Sequence, residues 1–127
     1  MTQNSNIELV VAFSTAGSPE EARRIATALV AEQLAACVNI IDNIHSIYRW
    51  QGAIESAAES LMLIKTRANL LPAIELRLRE LHSHDVPDLV AIPIGLGAQP
   101  LIGYLPPPAI TKNLPERLRS TSIEKTS

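Results

Sequence analysis

Cysteine is nearly absent from this chain of 127 residues. Cys37 stands alone, which excludes an internal disulfide and suits a reducing compartment. Aromatic residues reach only 3%, as Phe13, Tyr48, Trp50 and Tyr104, so a core must come from the aliphatic side chains that dominate the 46% hydrophobic fraction. A basic surplus is missing too. The formal charge is −2 and the pI near 5.9, so the electrostatic footprint of a nucleic-acid or acidic-membrane binder is not there. No apolar run approaches the roughly 20 residues that span a bilayer. The opening Met-Thr-Gln-Asn-Ser-Asn lacks the basic and apolar regions of a secretory signal. A cytoplasmic protein with neither nucleic-acid nor membrane partners is the expectation.

What is present is a pattern of elements. Ile7 to Phe13 is an apolar run interrupted only by Glu8, as in a strand buried on both faces, and Ser14 to Gly17 is expected to end it. Ser18-Pro19-Glu20-Glu21 then predicts a helix start, with Ser18 as N-cap, Pro19 in the first turn and Glu21 completing a capping box. Ala22, Ile25, Ala26, Leu29 and Val30 would form its apolar face, and the helix should run to about Ala36. From Cys37 the pattern becomes that of a strand, with a bulge or bend at Asp42-Asn43 and a turn at Gln51-Gly52. Leu61 to Thr66 is the returning strand. Residues 53–60 have helical propensity that a flanking hairpin can override. Asn69 opens a second helix with Leu71, Ile74, Leu78 and Leu81 on one face, and Leu89 to Ile94 closes the pattern as a strand whose Pro93 points to an edge.

The order β-α-β-β-α-β predicts an α+β domain: a four-stranded antiparallel sheet with two helices on one face. Leu61 and Leu63 alternate with Met62 and Ile64, so the uncovered face is apolar as well. Such a patch implies stacking of sheets between subunits. The expected division is a single domain over residues 1–105, with its core over 7–105, and a Pro-rich polar tail over 106–127, extended or disordered unless it docks on a neighbouring subunit.

Chemistry-bearing residues are few. His82, His84, Asp85 and Asp88 put two imidazoles and two carboxylates within one short loop, a mixture that suits Zn or Cu(II). The plainer alternative is a polar loop whose Asp residues hydrogen-bond locally. Cys37 is either a thiolate ligand or redox sensor or, on the plainer reading, a small buried residue with no cation nearby in sequence to activate it. Nucleophile, zincin and phosphate-loop motifs are missing, so no enzymatic activity is expected.

Leu34-Ala-Ala-Cys-Val-Asn39, Ser46 to Gly52, Leu63 to Thr66, the His82 loop and Ala91 to Ile94 together make the chain resemble the CutA divalent-cation tolerance family over about residues 7 to 105. The resemblance implies a ferredoxin-like fold, a tight homotrimer, and copper or other divalent-metal binding linked to metal tolerance, with no obligatory cofactor. Copper-binding members carry Cys-Thr-Ala where this chain has Ser14-Thr15-Ala16, and a His where it has Leu81. His84 stands at the family's loop Tyr, and Tyr104 at its C-terminal Trp. In a family-like trimer Cys37, Tyr48, Trp50 and Lys65 would lie near intersubunit clefts, as interface packing or as the wall of a site for a small anionic ligand. The alternative function is a small-ligand signalling or scaffold trimer resembling the nitrogen-regulatory PII proteins.

Overall fold

The computed structural model describes residues 8–83 and 87–95. Its elements are β1 (Leu9–Ala16), α1 (Pro19–Ala31), β2 (Cys37–Trp50), β3 (Ala53–Arg67), one 3₁₀ turn (Ala68–Leu70), α2 (Leu71–Leu81) and β4 (Val90–Pro93). The four strands form one antiparallel sheet in the order β2-β3-β1-β4. This is the expected βαββαβ arrangement. Pro93 lies on an edge strand, as anticipated, while Ile7 and the Pro-rich tail lie outside the described residues.

Strand alternation decides which side chains meet the helices. Val10, Ala12, Ser14 and Ala16 of β1 and Ser60, Met62, Ile64 and Thr66 of β3 are buried on the helix side. Ile25 and Leu29 of α1 and Ile74 and Leu78 of α2 close over them, and none of these four has exposed surface. The aliphatic core is therefore one layer thick. Arg77 of α2 straps it by a bidentate bond to Glu32, with Nε–Oε1 at 2.8 Å and Nη2–Oε2 at 2.7 Å, and that bond raises the guanidinium pKa.

Several boundaries differ from the sequence pattern. β1 continues to Ala16 because Ser14 and Thr15 keep pairing with Met62 and Leu61. α1 stops at Ala31, five residues before Ala36: Gln33 takes the left-handed conformation at φ 64°, and Leu34 and Ala35 turn back with their N–H groups on the Leu29 carbonyl. Both are then buried. Val30, placed on the apolar face by its spacing, is 43% exposed beside β2. Asn69 gives no cap; it sits within the 3₁₀ turn and α2 follows from Leu71.

The β2-β3 hairpin is the longest feature. Gln51 at φ 50° and Gly52 at φ 82° make the tight turn between strands of 14 and 15 residues. Residues 53–60, helical by propensity, are strand because cross-strand pairing takes them from Ala53↔Trp50 onward. β1 pairs with β3 only as far as Ala16↔Ser60. Beyond that point the hairpin projects as a two-stranded arm.

Candidate functional site

The end of β1 gathers the residues of the first candidate site. β4 pairs with β1 no further than Phe13↔Val90, which leaves Thr15 to be met by the loop after α2. Asp88 Oδ1 accepts the Thr15 N–H at 3.2 Å and the Thr15 hydroxyl at 3.1 Å, while Ser14 Oγ donates to the Asp88 carbonyl at 2.6 Å. His82, the C-cap of α2, places Nε2 2.6 Å from the Thr15 carbonyl. A carbonyl only accepts, so Nε2 carries a proton. The other ring nitrogen, Nδ1, lies 3.7 Å from Glu21 Oε2.

Glu21 closes the group from below. Its Oε1 accepts the Gly17 N–H at 2.9 Å and the Ser83 hydroxyl at 3.2 Å, and its Oε2 accepts the Ser83 N–H at 2.6 Å. The expected capping box is half built: Ser18 Oγ accepts the Glu21 N–H at 3.1 Å, but the Glu21 carboxylate reaches Gly17 and the far side of the fold. Burial alone would raise the Glu21 pKa. Hydrogen bonds from Ser83 and Gly17, with the neighbouring His82, outweigh that and hold it below the ordinary carboxylate value.

Of the four residues expected around a metal, His82 and Asp88 are brought to one place, both fixed on Thr15. His84 and Asp85 lie outside the described residues. Among the described residues no group of three or more His, Cys, Asp or Glu is arranged to hold a metal ion. Glu21 is the member that sequence reasoning missed. Its signal was read as a helix cap, because spacing along the chain shows the local N–H groups and not Ser83, 62 residues away.

The second candidate group lies on the sheet face that neither α1 nor α2 covers, and the bulge decides this. Up to Ile41 the even residues of β2 pair with even residues of β3 and face the helices; after the shift between Ile41 and Ile44, even pairs with odd. Tyr48 and Trp50 are thereby turned to the face that carries Cys37, Leu61, Leu63 and Lys65. Asp42 anchors the bulge by accepting the Ser60 hydroxyl at 2.7 Å, and Asn43 takes φ 62°. Cys37 stands directly opposite Lys65 in the register, and its Sγ lies 3.7 Å from Asn39 Oδ1. Cys37 is partly rather than fully buried. Tyr48 and Trp50, more than ten residues along the strand, are on the order of 40 Å from that pair at about 3.3 Å per residue. The four residues share a face but do not form one pocket within a single chain.

A family profile described as CutA1 divalent ion tolerance protein matches residues 10–106. The chain belongs to the CutA1 family. It is 45% identical over 95 residues to the divalent-cation tolerance protein CutA of Thermus thermophilus, covering 75% of this chain and 92% of that one. The human protein CutA is 42% identical over 94 residues, 74% of this chain, of which the match spans only 52%. Among solved structures, the Thermus thermophilus Cut A1 protein superposes with a TM-score of 0.73 at 44% identity, covering 76% of this chain and 94% of that one. CutA1 from Oryza sativa superposes at 0.75 and 34%, covering 88% and 98%. The CutA1 match contains the end of β1, the hairpin and the His82 loop. Among the described residues no helix is long and apolar enough to cross a membrane.

Proposed function

We propose that this chain is a cytoplasmic homotrimer acting in divalent-metal tolerance, in which the His82 end of α2 takes a divalent cation such as copper weakly and no reaction is catalysed. The observation that carries the metal reading is the buried His82 ring fixed on Thr15, beside a loop that brings Asp88 to the same residue. Imidazole nitrogen and carboxylate oxygen suit Zn or Cu(II), but the Ser14 hydroxyl is spent on the Asp88 carbonyl and the described residues gather no third His, Cys, Asp or Glu donor, so an ion would be held weakly. When bound, such an ion would be held by His82 with help from His84, Asp85 or Asp88. Its chemistry there is charge neutralisation and cross-linking of the loop.

The trimer reading is supported by the sheet face that neither helix covers, where Val90 and Ile92 continue the apolar surface of Phe13, Leu61 and Leu63 across three strands. Lys65 in that surface favours a small anion at the subunit boundary. Calorimetric titration of Cu(II) and Zn(II) into the wild type and a His82→Ala, His84→Ala double variant tests the metal site. Saturable binding lost in the variant is expected; identical isotherms would remove the site.

A further inference from the structure

At the β4 edge of the sheet, Leu71, Pro72 and Glu75 of α2 face Leu89 and Ala91 across a groove of about 270 Å³. Leu71, Leu89 and Ala91 pack against the core yet are only partly buried, so the groove is an open flank of the hydrophobic layer. A volume this small lies at the lower limit for organic ligands and suits a few side chains of a peptide. We propose that it seats residues 101–105 of the same chain, Leu-Ile-Gly-Tyr-Leu.

The point at which the described chain stops carries the assignment. β4 runs back along β1 and is tied to it as far as Ile94, whose N–H donates to the Leu9 carbonyl at 2.8 Å. The Ala68 N–H donates to the Glu8 carbonyl at 2.8 Å, which brings the approach to α2 to the same end of β1. The chain thus passes Gly95 at the α2 end of the groove, with residues 96–127 still to follow. Residues 96–100, extended at about 3.4 Å each, span about 17 Å, and the chain from Gly95 back to Ala91 spans only about 13 Å. Gly95 and Gly97 permit the reversal that this path requires.

Composition selects the segment. Between residues 96 and 127 the densest apolar run is 101–105, and the three prolines at 106–108 bar its continuation as a helix. The other chain end near Leu9, residues 1–7, is polar apart from Met1 and Ile7. The family match runs to residue 106, so the run belongs to the matched domain and not to the tail beyond it. A larger groove at Val30, Val38 and Ile40 lies between α1 and β2, three strands from β4 and farther from Gly95.

Hydrogen–deuterium exchange on the full chain, read by mass spectrometry, tests the seat. Expected is at least tenfold slower exchange over residues 101–105 than over 120–127 after correction for intrinsic rates. A Leu101→Asp, Leu105→Asp variant should lose that protection and exchange faster over residues 71–75 and 89–91. Equal rates for the two segments in the wild type overturn the proposal, and so does a variant that leaves the groove peptides unchanged. Cross-linking locates the contact with the apolar run intact, should that variant fail to fold. In a Cys37→Ser background, Glu75→Cys with Pro106→Cys and a short bis-maleimide should give an internally linked chain at 13.8 kDa. A product of twice that mass means that a neighbouring copy's segment fills the groove, and absence of linkage means that the segment lies elsewhere. Either result overturns the proposal.

Discussion

The two halves of the hairpin are made of the same two strands and behave as different materials. From Cys37 to Ile41 and from Ser60 to Arg67 the strands lie under α1 and beside β1, and their helix-side residues Met62, Ile64 and Thr66 are fully buried. From Ile44 to Glu59, among the described residues, they pair only with each other. Ile47 is 73% exposed and Trp50 60%, on opposite faces of the arm. An isolated two-stranded hairpin is marginal in water, so the arm draws little stability from its own pairing. The helix-side core of the body is closed by α1 and α2, whereas the arm leaves Ile47, Tyr48, Trp50 and Ile54 exposed among the described residues.

The largest test falls on the body. Leu29→Ala removes a fully buried side chain from the single core layer and should cost about 3 kcal/mol, read by denaturant unfolding. A loss no larger than that of a surface change would erase the contrast between body and arm. Next comes the arm. Trp50→Ala should weaken self-association by about 2 kcal/mol, as an interface aromatic does, while the far-UV spectrum of the body is kept. Sedimentation measures it, and a wild type that stays a 13.8 kDa monomer in light scattering would break the comparison outright. The smallest effect is local to the site end: Ser18→Ala removes the acceptor of the Glu21 N–H and should cost about 1 kcal/mol in thermal unfolding.

The contrast also explains what could be read beforehand. Ser18 and Pro19, Gln51-Gly52 and the period of Ile74 and Leu78 act within a few residues, and the structure agrees with each. The end of α1 was misplaced because Leu34 and Ala35 extend the apolar periodicity while serving as a buried return from Gln33. Asp88 was legible as a polar loop residue, but its bonds to Thr15 join positions 73 residues apart. Glu21 was legible only as a cap. Its second role depends on where α2 ends, which no spacing around Glu21 reports.

Local order was therefore set by the sequence alone: two helices, a long hairpin with an Asp42-Asn43 irregularity, the βαββαβ succession and the family likeness. Short-range hydrogen bonds, fixed dihedral preferences and hydrophobic periodicity suffice for these. Tertiary structure decided which residues meet. The bulge between Ile41 and Ile44 turned Tyr48 and Trp50 to the face of Cys37 and Lys65, and the packing of α2 against α1 set His82 and Ser83 on Glu21. Both outcomes depend on register and helix placement, which are fixed by burial of the whole layer. A one-residue change in strand pairing reverses a face, and the difference is settled only when the core closes.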